Sequence, residues 1–342
     1  MSLPAISKRE KIARLAGWTG LTAILEHVSR RSCLVVLTYH RIGAAEECRY
    51  DRGVFEATAD ELYEQVQHLR TRFHMTSVAE VLAWMEAGEP VGHTHVMLTF
   101  DDGYIDNYRT AFPILRSLNA PGTFFLTTSL VGTDRLTWWD QIAYLVRHTR
   151  RQRIELTYPE PYSENLGTDS REEVIGEVLS LFKTPAMTDP QLFLENLANA
   201  CDLEIPQRAH ERLFLDWEEA REMMRGGMSV GSHTHTHPVL AKLTAAEQLR
   251  EMRESRGLLQ KRLAIEAEAV AYPVGSARAL NPSCGRAAKE AGYKLGFRND
   301  GGVNLGTRRS PYQVHRIPMA PNVTLPLFRF RTALAASINK RF

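Results

Sequence analysis

The sequence predicts an α/β fold: parallel strands joined by helical crossovers, with polar chemistry delivered to the strand ends. Two observations carry that fold class. Short, apolar, β-rich runs alternate with segments of helical periodicity, the pattern of a parallel sheet wrapped by helices. Several runs also stop abruptly on polar side chains: 34–39 on His40, 96–100 on Asp101-Asp102-Gly103, and 228–232 on His233. If such a sheet closes into a barrel, its C-terminal strand ends form the active-site rim, and His40, Asp101 and Asp102 fall there.

In chain order, Ile12, Leu15, Trp18, Leu21, Ile24, Leu25 and Val28 recur at helical spacing, so residues 1–33 form an amphipathic helical region. Packing on its own domain is the ordinary fate of such a helix; peripheral membrane contact is the alternative. Residues 34–39 are the first buried strand. Thr58 with Glu61 spells a capping box opening a helix to 72, and Ser77 with Glu80 opens another that stops at Gly88-Glu89-Pro90. His93 and His95 precede the strand over 96–100 and read as surface. A helix over 106–118 is broken by Asn119-Ala120-Pro121-Gly122, and a strand over 123–127 follows. Residues 132–216 break the rhythm with Trp138-Trp139-Asp140, a basic patch over 147–153 and two helical patterns. They read as an insertion or cap, with the patch as a solvated face. Asp216 with Glu219 opens the next helix and Gly226-Gly227 closes it. A strand over 228–232, a long charged helix from Thr244 to 263, a strand over 269–272, a helix over 282–291 and strands over 294–297 and 313–317 complete a domain spanning 34–320. Residues 321–342 form a basic tail, expected to be helical.

Composition narrows the function classes. A chain of 342 residues with 44% hydrophobic content can bury a large core. Its 42 basic and 40 acidic residues nearly cancel, which argues against a nucleic-acid partner. Cys33, Cys48, Cys201 and Cys284 are scattered without a CxxC pair, so neither a disulfide scaffold nor a cysteine zinc site is expected. The N-terminus lacks a clean apolar core and cleavage site, and no run of about 18 apolar residues exists to span a bilayer. The expected location is therefore cytoplasmic, with membrane association left open.

The chemistry concentrates in two stretches. Adjacent carboxylates at Asp101-Asp102 are costly together unless a cation neutralises them, and Gly103 lets the backbone turn sharply beside them. A solvated Asp-Gly turn is the plain alternative. His233 and His237, four apart at another strand end, can reach one ion from one side; with a single aspartate they leave positions open on a zinc-like ion, as catalytic sites do.

Thr99-Phe100-Asp101-Asp102-Gly103, taken with Ser232-His233-Thr234-His235-Thr236-His237-Pro238, resembles the polysaccharide deacetylase family, the NodB-homology domain of carbohydrate esterase family 4. Ala271-Tyr272-Pro273-Val274-Gly275 resembles a variant of that family's third motif. The resemblance spans about residues 34–320, with the insertion outside its compact form. It implies a distorted (β/α) barrel and metal-dependent removal of N- or O-acetyl groups from sugars. Carried over by position, Asp102, His233 and His237 would hold a divalent metal, with zinc expected, and Asp101 would be the general base. The amide of Tyr104 would stabilise the oxyanion. The implied substrate is an N-acetylated glycan or lipid-linked sugar of bacterial surface-glycan metabolism. Two positions depart from the pattern. Where the family often has an arginine orienting the base, this chain has Ala271, and Arg41, Arg298 or Arg316 could substitute. The general acid could be His315, provided its strand register turns it inward, or His40. Trp138 and Trp139 could stack on sugar or anchor the insertion, and Tyr272 could line the cleft or only pack. A metal amidohydrolase of small amides, and an inactive glycan-binding protein that Ala271 keeps open, are the rival readings.

Overall fold

The computed structural model describes residues 8–28, 33–87, 93–167, 171–305 and 310–337. The helix stop expected at Gly88-Glu89-Pro90, the side chain of Val28 and the end of the tail, 338–342, lie outside the described residues. The chain divides into two compact units: Met1–Gly43, Phe55–Val131 and Leu215–Phe342 form the first, and Ala44–Val54 with Gly132–Phe214 form the second.

The first unit begins with helices α1 (Lys8–Trp18) and α2 (Leu21–Val28), separated at Gly20, whose φ of 75° ends the first. Its sheet is built from β1 (Cys33–Tyr39), β2 (Thr94–Phe100), β3 (Thr123–Leu126), β4 (Ser229–Ser232), β5 (Ala269–Ala271) and β6 (Leu295–Phe297). They pair in parallel in the spatial order β6-β5-β4-β3-β2-β1. The seam is bridged late in the chain. Val314 pairs with Phe297 of β6, and three residues on, Ile317 of β7 (Ile317–Pro318) pairs in parallel with Leu37 of β1. One segment thus links both edges of the sheet, although far less of 313–317 is regular strand than its sequence suggests. The crossover helices start where their capping residues say: Thr58/Glu61, Asp216/Glu219 and Thr244/Glu247 each form the reciprocal box. The helix expected over 106–118 opens as a π-helical segment, Asn107–Ala111, and tightens to α-helix over Phe112–Ser117, next to Pro113, which has no N–H to offer the ladder.

Strand alternation sorts side chains into two layers. Leu34, Val36, Met97, Phe125, Ala271, Phe297 and Val314 pack together inside the sheet. Val35, Leu37, Leu98, Phe100, Phe124, Val270, Tyr272 and Ile317 form the larger layer that includes the helices. That parity decides which strand-end groups can meet. His95 follows it too: the ring is buried rather than on the surface, against Trp84 and His74 with centroids 4.1 and 4.6 Å away, and burial pushes its pKa down to about 4. The long helix α3 (Ala245–Leu263) flanks β4, and the closing helix α4 (Leu325–Ser337) packs on α1, α2 and β1.

The second unit has its own core. Helix Trp138–His148, the hairpin Arg153–Leu156 with Tyr162–Asn165, and helices Arg171–Phe182 and Pro190–Cys201 enclose Ile142, Val146, Val178, Phe193 and Leu197. Trp139 is buried there, and Trp138 stacks on Phe182 at 4.2 Å with Lys183 over its ring at 5.7 Å. Trp139 is thus core of this unit, and the half-buried Trp138 packs against that core on the helix that Thr137 caps. Within the basic patch, Arg147 pairs with Glu172, Arg151 with Asp202 and Arg153 with Glu155. No helix among the described residues is long and apolar enough to cross a membrane.

Candidate active site

The site starts at the end of β2. The Asp101 N–H bonds the Tyr39 carbonyl at 2.8 Å, so the ladder with β1 continues one residue past the strand. The chain then turns through two left-handed residues, Asp102 with φ of 70° and Gly103 with φ of 81°. A short polar side chain tolerates that conformation; Gly103 is required for a second reason, since a Cβ there would lie 2.9 Å from Leu126 Cδ2. The turn separates the two carboxylates. Asp101 keeps the inward parity of Met97 and Thr99, while Asp102 is swung toward the end of β4.

There it meets two imidazoles. His233 Nε2 lies 3.4 Å and His237 Nε2 3.3 Å from Asp102 Oδ1, and all three residues are buried. Their ligating atoms lie within 4.8 Å of one another. The His233 N–H bonds Leu126 O at 2.8 Å, continuing the sheet, and the following loop doubles back through left-handed Thr234 and His237. This strained loop is held by one carboxylate from α3. Glu251 accepts from the N–H groups of His235 and Thr236 at 2.9 and 2.8 Å and from the Thr236 hydroxyl at 2.6 Å. His235 itself turns to Thr128, with Nδ1 3.0 Å from the hydroxyl.

The tautomer of His233 is set by its other nitrogen. Nδ1 lies 2.8 Å from Ala271 O and can only donate to it, which leaves the Nε2 lone pair facing Asp102. Burial pushes His233 down to about 4, so the ring is neutral at ordinary pH. Asp102 is held well below the usual carboxylate range: burial would raise it, and the histidines outweigh that. Its Oδ1 is buried with no hydrogen-bond partner while facing two imidazole nitrogens, an arrangement that suits a cation between them. One carboxylate and two imidazoles match a zinc-like ion and leave coordination positions open.

Asp101 is gripped separately. Arg316 Nη1 and Nη2 donate to its two oxygens at 2.7 Å each, and the guanidinium is fully buried. Further bonds to Arg298 O (3.0 Å) and Thr99 Oγ1 (3.3 Å) fix the fork. Burial would raise the Asp101 pKa, but Arg316 and His233 bring it below the ordinary value, so the group is a carboxylate. Of the three arginines open on sequence, the others are committed elsewhere: Arg41 to Asp106 at 2.8 Å, with its guanidinium against the Phe55 and Tyr104 rings, and Arg298 to Asp300 at 3.3 Å. Ala271 needs no functional side chain, because what it contributes is its carbonyl.

The same register that turns Arg316 inward turns His315 out. Val314 lies in the interior cluster and Arg316 reaches Asp101, so the residue between them faces the other way. His315 Nδ1 is 2.6 Å from Asp300 Oδ1, and a Cβ on Gly302 would touch its ring, so the side chain is committed away from Asp101. His40 stands at the rim on the first strand. It follows Tyr39, which pairs with Phe100, so it stands beside Asp101 on the next strand end. Glu56, in a short strand that pairs with 41–42, is 2.7 Å from its Nδ1 and also accepts its backbone N–H at 2.7 Å. Burial alone would lower the His40 pKa, but the Glu56 charge and, more weakly, the two aspartates carry it up to about 10. Glu56 and Glu251 escaped sequence reading because each is a lone acid outside any motif. Tyr272 is buried in the outer layer, its hydroxyl donating to Tyr312 O at 3.1 Å and its ring over Gly296, and it borders a cavity that Arg298 and Tyr312 also line.

Residues 88–296 match the family model described as polysaccharide deacetylase. The poly-beta-1,6-N-acetyl-D-glucosamine N-deacetylase of Escherichia coli (strain K12) is 24% identical over 235 residues, covering 64% of this chain and 32% of that protein. The chain thus aligns with about a third of that relative. Among solved structures, the Streptococcus pyogenes deacetylase PplD in complex with acetate superposes with a TM-score of 0.58 at 22% identity, over 88% of this chain and 98% of that one. IcaB from Ammonifex degensii gives 0.57 at 19% identity, over 90% and 97%. These structures share the (β/α) barrel fold.

Proposed function

The chain belongs to the polysaccharide deacetylase family, and we propose that its reaction is the metal-dependent hydrolysis of N-acetyl groups on a glycan or lipid-linked sugar. The observation that carries this reading is the division of labour at the β2 end. One carboxylate faces two imidazoles at 3.3 and 3.4 Å, and its neighbour stands farther off, 3.8 Å from His233 Nε2, and is clamped by a buried arginine.

Asp102, His233 and His237 would hold the divalent cation, with zinc favoured by the donor set. Such an ion, when bound, polarises an acetyl carbonyl and makes water acidic enough to attack at neutral pH. Asp101 takes the proton from the attacking water, and Arg316 keeps it ionised and aimed. As the water oxygen bonds to the carbonyl carbon, the backbone N–H of Tyr104 serves as an oxyanion donor. His40, protonated through its pairing with Glu56, gives its Nε2 proton to the departing nitrogen as the C–N bond breaks. Acetate and a free amine leave. The N-deacetylase named among the relatives supports an N-acetylated sugar over an O-acetylated one.

The test is acetate release from N-acetylglucosamine oligomers and from lipid-linked N-acetyl sugars, with metal content measured on the same protein. Release that a chelator abolishes and zinc restores is the expected result. A zinc-loaded protein that releases no acetate from any of them contradicts the reading.

A further inference from the structure

The N-terminal helices are amphipathic in the wrong sense for a helix that serves only its own domain. Five of the seven large apolar side chains exposed among the described residues lie on α1 and α2: Ile12, Leu15, Trp18, Leu21 and Ile24. Trp18 is 86% exposed. The buried positions are small or polar instead: Ala13 and Ala16 with Glu10 on α1, and Thr22 with Glu26 on α2. Both helices pack on α4, and the two acids secure them. Glu10 accepts from the Thr324 hydroxyl at 2.7 Å, and Glu26 pairs with Arg329 at 3.2 Å and His68 at 3.2 Å. The apolar stripes at 12, 15, 18 and at 21, 24 are therefore turned away from the unit that the helices pack on.

Charge says what covers them. Glu10 and Glu26 are the sole acids of the two helices and both are buried; Glu10 also pairs with Arg14 at 2.7 Å, and the exposed cations of the outer side are Lys8 and Lys11. A second copy of the chain meeting this face by two-fold symmetry would bring cations against cations. We propose that α1 and α2 form a peripheral membrane-binding face for an anionic phospholipid bilayer. The apolar stripes enter the headgroup boundary, Trp18 seats at the interface, and the lysines meet lipid phosphates. The proposal does not depend on the reaction of the barrel and is read without it.

Flotation of the whole protein with vesicles tests this. Wild type should float with mixed phosphatidylglycerol–phosphatidylcholine vesicles, bind pure phosphatidylcholine more weakly, and lose binding as salt rises. Leu15→Ser with Trp18→Ser should weaken the anionic-vesicle binding by about tenfold or more. Lys8→Glu with Lys11→Glu leaves the apolar stripe intact and should remove the preference for anionic lipid; circular dichroism confirms that each variant is folded. Failure of the wild type to float overturns the proposal, as does undiminished flotation of the folded Leu15/Trp18 variant. A wild-type dimer in light scattering that the Leu15/Trp18 variant dissociates would assign the face to a second copy and also overturn it.

Discussion

Asp101 and Asp102 are adjacent in sequence and meet different partners, because the left-handed backbone at Asp102 turns the second carboxylate away from the first. Asp101 belongs with Arg316. An arginine fork matches both carboxylate oxygens at once, and an ammonium does not. Arg316→Lys, which keeps the charge but not the geometry, should lower kcat about 10²-fold while leaving the cation content unchanged, read by acetate release and metal analysis. Removing the charge altogether, as in Arg316→Ala, would also cost stability, about 3–5 kcal/mol, by leaving Asp101 buried and unpaired. His40 belongs with Glu56. As pH rises through its folded value near 10 the imidazole loses the proton it must donate, so the rate falls on the basic side. Glu56→Gln removes the charge that holds that proton. The basic limb should then move to lower pH by about 1–3 units, and a pH–rate profile checks it. An unmoved limb would mean that another group is the acid.

The loop from Thr234 to His237 ends on one of the three groups that could hold a cation, in a conformation that side chains rarely adopt, and its strain must be held by something outside it. Glu251 on α3 is that support, with three hydrogen bonds to two successive loop residues. Glu251→Ala should weaken cation affinity by about 10- to 100-fold in a competition titration with a chelating dye, with the fold retained. The strand ends were legible in the sequence because apolar runs there stop on charged side chains, and the capping boxes marked helix starts at Thr58, Asp216 and Thr244. The last strand was not. Val314-His315-Arg316-Ile317 offers two chemically sensible residues on opposite faces, and only its pairing with Phe297 and Leu37 decides that Arg316 faces in. Ala271 misled for a related reason, since a backbone carbonyl leaves no trace in residue type. The tryptophan pair at 138–139 was likewise ambiguous until Phe182, more than forty residues on, was seen stacked against it.

At the scale of the molecule, the barrel is a device for bringing distant residues to one rim. Asp101 and Arg316 meet across 215 residues of chain, because the closing segment lies next to β1 and β1 next to β2. The motifs made the Asp102, His233 and His237 cluster and the neighbouring Asp101 readable from sequence; Glu56, Arg316 and Glu251 are each single residues whose contacts exist only in the closed fold. The central claim is that Asp101 acts on the water and does not hold the ion. Acetate release by wild type and Asp101→Asn at matched zinc content tests it most directly. Equal metal in both proteins, with turnover in the variant lower by about 10³-fold or more, is the predicted result. A metal-loaded Asp101→Asn that hydrolyses at the wild-type rate would contradict it.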